Sequence, residues 1–375
     1  MELISNDYFS NEHLNIAKKF IPKKFKIYVV KDEKDIGYMI SYFLKFIKLK
    51  NSENVLYSRY ISMDFEFNNC SFKKGKGDLY DKCVEESIGS KEIAIFQILL
   101  TNIVNAEHSN AENSNEHNTI FLFYPPDLSE KQTKVLIDLL IEPDIIKVIH
   151  GGDSLDIPYL FKRLLKSEDN IFKFCNNLFD TKYICDFLNN KSNLEVKNKC
   201  KIYHFLKDQM IISENQFNKL LENEEEMGPI WFINLDIRKL KKSVILYSAC
   251  DVIYLVSLLE STNSTNLNQI QGIRSNQEIE LLGELTSFNY LYKSGNFKFS
   301  DSLDRISNFN VHVITDNNKE SYESLDSNYQ FMDVFYLYYY NFTGLFNSNE
   351  FYYMSEINSL KKLLQNIVRL YVYSL

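Results

Sequence analysis

Two acidic residues, Asp64 and Glu66, stand two positions apart in an otherwise apolar segment, residues 61–67. Side chains alternate between the two faces of a β-strand, so a strand here would project both carboxylates from one face. Hard divalent cations such as Mg²⁺ prefer oxygen ligands, and a strand holds such a pair more rigidly than a loop does. The pair indicates a candidate metal site, and an acidic, solvated strand face is the alternative interpretation.

A second candidate pair is Tyr247 and Asp251, which lie one helical turn apart in the apolar stretch 244–255. A phenol and a carboxylate on one helix face can share a site. The same spacing recurs in this chain, for example at Tyr28 and Asp32, so the spacing alone is not specific. The three small residues between Tyr247 and Asp251 predict a helix that packs closely against a sheet.

A third segment, residues 147–160, predicts a strand, a turn at Gly151-Gly152 and the start of a helix that carries two acids. Asp153 stands where a carboxylate caps free backbone N–H groups. Asp156, one turn further on, is the better ligand candidate, and Asp153 is the alternative. The segment matches neither a dinucleotide fingerprint nor a P-loop.

The elements that would position these residues follow from hydrophobic patterning. Residues 57–67, 92–101 and 119–124 are rich in Ile, Phe, Tyr and Leu, and they predict an antiparallel meander of three strands. Helical and strand patterns then alternate from residue 128 to a final helix at about 242–261. This order predicts an α/β fold, a mixed sheet flanked by helices.

The chain divides into three predicted regions. Residues 1–54 form a basic, partly helical lead-in, residues 55–262 hold all three candidate segments, and residues 263–375 form a mainly helical C-terminal extension of unknown role. Two polar stretches, 68–91 and 105–118, predict loop insertions between strands without folded structure of their own.

Composition excludes some classes of protein. The 375 residues carry a formal charge of −8, which argues against a protein that coats nucleic acid through overall positive charge. Six cysteines without a Cys-x-x-Cys pair predict reduced thiols. The sequence shows neither a signal-peptide pattern nor an uninterrupted apolar run of membrane-spanning length, so we expect a soluble intracellular protein, either cytoplasmic or nuclear.

Five ordered segments together resemble the DEDDy branch of the DEDD 3′-to-5′ exonucleases, particularly ribonuclease D and its exosome-associated relatives. The resemblance covers roughly residues 55–260, and its segments are 63–67, 91–98, 148–160, 178–181 and 247–251. One departure is that the interval from His150 to Asp156 is one residue longer than is usual in the family, which keeps Asp153 as the alternative. The spacing to the following Ile157 and Leu160 favours Asp156.

The resemblance implies an RNase H-like, ribonuclease D-type fold and two Mg²⁺ or Mn²⁺ ions. Their ligands would be Asp64, Glu66, Asp156 and Asp251, and Tyr247 would orient the attacking water. The implied reaction removes nucleoside 5′-monophosphates from the free 3′ end of a single strand, with RNA favoured over DNA, as in RNA processing. The alternative is a catalytically silent exonuclease-fold module that binds RNA or a protein partner, and retention of the four acids and the tyrosine favours the enzyme.

Five further residues are candidate contacts for the nucleic acid. Phe65 could stack on a terminal base and His150 could contact the nucleic acid, whereas Arg238, Lys241 and Lys242 could bind the phosphate backbone. Each has a plain structural alternative: core packing for Phe65, a role at the strand end for His150, and solvated surface charge for the three cations.

Overall fold

A computed structural model describes residues 26–49, 57–104, 119–185 and 200–263, together with positions 283, 286, 287, 290 and 291. At its centre is a six-stranded sheet in the order β1-β4-β3-β2-β5-β6. The predicted meander is present, because β3 pairs antiparallel with both β2 and β4. All other pairings are parallel. The strands are β1 (Lys26–Val29), β2 (Tyr57–Asn69), β3 (Lys91–Val104), β4 (Thr119–Phe123), β5 (Ile145–Ile149) and β6 (Leu178–Asp180).

The strand order confirms the predicted fold class. Counted from β2, five strands lie in the order 3-2-1-4-5 with the second antiparallel to the others, which is the arrangement of RNase H-like folds. The first strand, β1, adds a sixth strand beside β4. The predicted C-terminal extension, residues 263–375, lies outside the described residues except for residue 263 and the five separate positions.

Helices cover both faces of the sheet because each face has its own apolar core. Met63 and Phe65 of β2 pack with residues of α1, α3, α4 and α5, whereas Tyr60 of β2 and Ile95 of β3 pack with residues of α6 to α9. The helices are α1 (Glu33–Lys48), α2 (Asp78–Glu86), α3 (Glu130–Leu140), α4 (Asp156–Tyr159, continued by a π-helix at Leu160–Leu165), α5 (Glu168–Cys175), α6 (Ile202–Asp208), α7 (Glu214–Met227), α8 (Lys242–Ile253) and α9 (Leu255–Asn263).

The predicted final helix is present as α8 and α9, which are separated by a turn at Tyr254. Its stretch Lys242–Ser261 is, among the described residues, the one helical segment long and apolar enough to span a membrane by length and composition. However, 83% of its most apolar window is buried inside the protein. The segment is a core helix that packs against β2 and β3.

The prediction that residues 68–91 form an unstructured insertion is wrong. This stretch contains a 3-10 turn at Cys70–Lys73 and the helix α2, and a disulfide joins Cys70 to Cys83 across them. Lys73 also forms an ion pair with Glu92 at the start of β3, with Nζ and Oε2 2.5 Å apart. The disulfide and the ion pair join residues 13 and 19 positions apart, so the polar local sequence does not indicate either contact. The other polar stretch, 105–118, lies outside the described residues.

The prediction that the cysteines are reduced is wrong for four of the six. A second disulfide joins Cys185 to Cys200, and the Cα atoms of each bonded pair are 5.8 Å apart. The bonded cysteines are 13 and 15 residues apart in the chain, so a search for Cys-x-x-Cys spacing does not find them. Cys175 and Cys250 are free and buried.

One strand residue opposes the stability of the fold. The side chain of Lys147 on β5 is fully buried, and its Nζ has no hydrogen-bond partner among the described residues. Burial lowers the pKa of Lys147 from 10.5 to about 7, because a charged ammonium is poorly solvated in the core. Between these two pH values the unfolded chain binds a proton that the folded protein does not, so the stability due to Lys147 falls as the pH falls from 10.5 to 7.

We expect Lys147→Met to raise the melting temperature at neutral pH, because it keeps a long side chain and removes the buried amine. The gain over the wild type should shrink as the pH approaches 10.5, where the wild-type amine is neutral in both states. Each kcal/mol gained corresponds to roughly 2–4 °C for a folded unit of about 150–250 residues, and to less for a larger one. Calorimetry at pH 7 and pH 10 measures both effects. A lower melting temperature for the variant at pH 7 would contradict the expectation.

Candidate active site

Three of the predicted carboxylates converge. Asp64 and Glu66 of β2 and Asp251 of α8 each offer a carboxylate oxygen, and these oxygens lie within 4.8 Å of one another. Glu66 and Asp251 are buried, and Asp64 is partly exposed. We call these three residues the acidic cluster. They meet because α8 crosses the face of β2 that carries the two acids, and its small residues, buried at Ser248, Ala249 and Cys250, permit a close approach.

The acidic cluster is electrostatically strained when no cation is bound. Burial raises the pKa of Asp64 to about 7. Burial, followed by the charges of Asp64 and Asp251, raises the pKa of Glu66 well above its usual range. Gln97 donates one long hydrogen bond of 3.4 Å to Glu66 Oε1. None of the ion pairs among the described residues includes a member of the cluster. An all-oxygen donor set with no cationic side chain as partner fits a hard divalent metal ion.

Two tyrosines contact the carboxylate of Asp251. Tyr203 of α6 donates a 3.2 Å hydrogen bond to Asp251 Oδ1, and the phenol of Tyr247 lies close enough to Asp251 to interact electrostatically with its carboxylate. The negative charge of Asp251, together with burial, raises the pKa of Tyr247 well above its usual range. Tyr247 therefore keeps its proton and acts as a hydrogen-bond donor. Sequence reasoning missed Tyr203, which lies 48 residues from Asp251 in a helix without a recognised motif.

The two acids of the third segment have different surroundings. Asp156 is the first residue of α4, and burial, followed by the charge of Asp64, raises its pKa well above the usual range. Its carboxylate is therefore close enough to Asp64 to interact with it, although it is not part of the acidic cluster. Asp153 Oδ1 instead accepts a 2.8 Å hydrogen bond from the hydroxyl of Tyr183.

The carboxylate of Asp180 holds the turn that precedes Asp156. Asp180 ends β6 and is buried, and it accepts backbone N–H hydrogen bonds from Gly151 at 2.8 Å, Gly152 at 3.2 Å and Lys182 at 2.8 Å. The hydroxyl of Tyr290 donates to the same carboxylate. The turn favours glycine at Gly151, which has a φ of +72°, and a Cβ on Gly152 would lie 2.8 Å from Ile149 Cδ1, so the end of that side chain would have to shift. Tyr290 lies beyond residue 262, the predicted end of the catalytic region.

We expect Asp180→Asn to lower the free energy of unfolding by about 1.5–3 kcal/mol, the range for hydrogen bonds to a charged acceptor. The amide keeps one acceptor oxygen and turns an NH₂ group towards backbone donors. Urea denaturation measures the change as a lower midpoint. Asp169→Asn is the matched control, since Asp169 is an exposed carboxylate in an i,i+4 pair with Lys173. Equal midpoints for the two variants would contradict this role.

Two of the predicted nucleic-acid contacts, Phe65 and His150, have side chains that are already engaged in other contacts of the protein. Phe65 is 5% exposed, lies on the opposite face of β2 and stacks on Phe96 with ring centroids 4.0 Å apart. Both ring nitrogens of His150 are engaged, with Nε2 2.8 Å from the carbonyl oxygen of Cys200 and Nδ1 2.8 Å from Thr181 Oγ1. The structure thus places both residues in supporting positions, core packing for Phe65 and a strand-end contact for His150.

The three predicted phosphate-binding cations are exposed. Lys241 and Lys242 lie at the N-terminal end of α8, the helix that also carries Tyr247 and Asp251. Arg238 forms an ion pair with Asp127, with Nη2 and Oδ2 2.7 Å apart. The side chain of Arg238 is exposed, so a phosphate group could compete with Asp127 for its guanidinium at little cost in desolvation.

Comparisons with known proteins complete the description. No family model matches the chain. The chain is 28% identical over 310 residues to "Uncharacterized protein L533" of Acanthamoeba polyphaga mimivirus. The matched region covers 78% of this chain and 53% of that protein, so the chain spans about half the length of this relative. Similar solved structures include Brucella melitensis NrnC, with a TM-score of 0.34, 14% identity and coverage of 66% of this chain and 88% of that one.

The catalytic core of RRP6 from Trypanosoma brucei has a TM-score of 0.37 and 15% identity, covering 73% of this chain and 55% of that one. Brucella melitensis NrnC with bound Mg²⁺ has a TM-score of 0.33 and 14% identity, covering 73% of this chain and 96% of that one.

Proposed function

We propose that this chain is a divalent-metal-dependent 3′-to-5′ exonuclease that acts on single-stranded nucleic acid, with RNA favoured over DNA. The observation that supports this most strongly is the convergence of Asp64, Glu66 and Asp251 within 4.8 Å, with Tyr247 beside them. Grouping three carboxylates with so little solvent destabilises a fold, because desolvation and mutual repulsion both oppose it. Perturbed acids of this kind are typical of functional sites.

In this proposal two Mg²⁺ or Mn²⁺ ions would be held by Asp64, Glu66, Asp251 and Asp156. When bound, such ions activate water and stabilise both the attacking and the departing oxygen of an in-line displacement at phosphorus. Asp64 and Glu66 are fixed by the strand, and Asp251 by its bond to Tyr203. Tyr247 keeps its proton, so its role is to orient the attacking water through a hydrogen bond rather than to remove a proton from it.

The direction and the products follow from the resemblance to DEDDy exonucleases. Attack of water on the terminal phosphodiester would break the bond between phosphorus and the O3′ of the preceding nucleotide. The departing O3′ would take up a proton, and a nucleoside 5′-monophosphate would be released. Residues 55–262 would carry this chemistry. Ser287 and Tyr290, from the 263–375 region, contact these residues through hydrogen bonds to the carbonyl of Cys175 and to Asp180.

The proposal is tested with matched single-stranded RNA and DNA oligonucleotides of one sequence, incubated with Mg²⁺ or Mn²⁺. Chromatography should show nucleoside 5′-monophosphates, formed faster from RNA, and EDTA should stop their formation. Products that carry a 3′-phosphate, or degradation that EDTA leaves unchanged, would overturn the proposed chemistry. Faster degradation of DNA would overturn only the preference for RNA.

A further inference from the structure

The segment between α7 and α8 exposes two large aromatic side chains side by side. Trp231 is 57% exposed and Phe232 is 74% exposed, and their ring centroids are 6.1 Å apart. They lie in a 3-10 turn, Ile230–Phe232, whose backbone is closed by hydrogen bonds of 3.0 Å from Phe232 to Pro229 and from Ile233 to Ile230. Two adjacent aromatics in water are unfavourable for the free protein, so their exposure indicates a binding surface.

This segment is fixed beside the acidic cluster by a two-way hydrogen bond. The side chain of Asn68 accepts from the backbone N–H of Leu235 and donates to its carbonyl, both at 2.8 Å, and Leu235 itself is buried. Asn68 lies two residues beyond Glu66 on the same face of β2, which is about 7 Å along a strand. The aromatic pair is therefore held by an anchor immediately next to the cluster.

Exposed cations connect the aromatic pair to the site helix. Arg238, Lys239, Lys241 and Lys242 are all exposed, and they lead directly into α8 with Tyr247 and Asp251. One stretch of chain therefore presents aromatic rings, then positive charges, then Tyr247 and the Asp251 carboxylate of the acidic cluster. A single strand has complementary chemistry, because its bases offer π-faces for stacking and its backbone offers phosphates for the cations.

We propose that Trp231 and Phe232 form a stacking platform for the bases of a single-stranded nucleic acid whose end lies at the acidic cluster. The inference deepens the proposed function and rests on it. Stacking tolerates every base, so the platform provides affinity without sequence preference. Loss of either ring should weaken binding roughly 5- to 140-fold, the range for removal of one base-stacking aromatic.

The first test uses the fluorescence of Trp231, which is the only tryptophan in the chain. The full chain carrying Asp251→Asn, which should leave the strand intact, is titrated with oligoadenylate and with an abasic oligonucleotide of the same length. Oligoadenylate should quench the fluorescence to saturation, and the abasic strand should quench it much less, because it has phosphates but no bases. Equal quenching by the two strands, or none by either, would overturn the platform.

The second test measures the anisotropy of a labelled oligoadenylate with variants of the full chain. The double variant Trp231→Ala with Phe232→Ala should bind at least about 10-fold more weakly, and Trp231→Phe should retain most of the affinity, because it keeps a ring. Tyr38→Ala is the control, since Tyr38 is a 47% exposed aromatic on α1, over the other face of the sheet. An unchanged affinity of the double variant would overturn the platform, as would a change only in self-association on size-exclusion chromatography.

The two hypotheses fail in different ways. If the wild type degrades the oligonucleotide and the double variant binds it unchanged, the platform is wrong and the exonuclease stands. If base-dependent quenching and the loss of affinity occur without metal-dependent degradation, the platform is supported and the exonuclease is wrong.

Discussion

Asp64→Asn should abolish metal-dependent degradation and should also stabilise the metal-free protein. Substitutions of residues that only support a metal ligand reduce metal affinity or activity 10- to 100-fold, so loss of a direct ligand should reduce the rate by more than about 100-fold. The gain in stability arises because the substitution removes one of the mutually repelling, poorly solvated carboxylates of the acidic cluster. A core residue that served stability alone would behave in the opposite way.

The stability effect should depend on pH. The pKa of Asp64 is raised from 3.8 to about 7 in the folded state, so the folded protein binds a proton that the unfolded chain has lost between these values. The contribution of Asp64 to stability is thus fully present below pH 3.8 and is lost as the pH rises through 7. Melting temperatures in EDTA should therefore separate the variant from the wild type most clearly above pH 7.

Asp138→Asn provides the control for both readouts, since Asp138 is an exposed carboxylate on α3 over the other face of the sheet. It should change neither the rate nor the pH dependence of the melting temperature. A wild-type rate in Asp64→Asn would contradict its role as a ligand. A lower melting temperature of Asp64→Asn in EDTA at pH 8 would contradict the electrostatic strain.

Asp156→Asn and Asp153→Asn should differ strongly, although the two residues are only three positions apart. Asp156 interacts with Asp64, so its loss should lower the rate by more than about 100-fold. Asp153 is hydrogen-bonded to Tyr183, and an asparagine oxygen can accept the same bond, so this variant should retain activity within about 10-fold of the wild type. Rates under single-turnover conditions, with Mn²⁺ affinity from calorimetry, measure both effects. The reverse order would transfer the ligand role to Asp153.

Local periodicity explains why much of the fold could be predicted from the sequence. Alternation in residues 61–67 placed Asp64 and Glu66 on one face of β2, and the small residues of α8 predicted its close approach to the sheet. The same alternation already assigned Phe65 to the opposite face, where it packs on Phe96. The strands and the final helix carry strong apolar patterns, so they were recognisable without tertiary information.

The supporting contacts could not be predicted, because they join residues far apart in the chain. Asn68 bonds to Leu235 across 167 residues, Tyr203 bonds to Asp251 across 48, and Asp180 holds a turn that lies 28 and 29 residues before it. The local sequence around Asn68 and Tyr203 does not differ from that of ordinary surface or core positions, and segment 178–181 does not indicate which turn Asp180 holds. The disulfide between Cys70 and Cys83 could not be predicted from the local sequence for the same reason, because its cysteines are 13 positions apart.

The proposed activity is tested most directly with a 5′-labelled linear single-stranded RNA and a circular RNA of the same sequence, each incubated with Mn²⁺. The linear strand should shorten stepwise from its 3′ end and give a ladder of labelled products, and the circle, which has no end, should remain intact. Immediate release of a labelled mononucleotide would contradict the 3′-to-5′ direction, and cleavage of the circle would contradict exonuclease action. If neither RNA changes with Mn²⁺ or Mg²⁺, the chain is not an exonuclease, and a silent binding module becomes the better description.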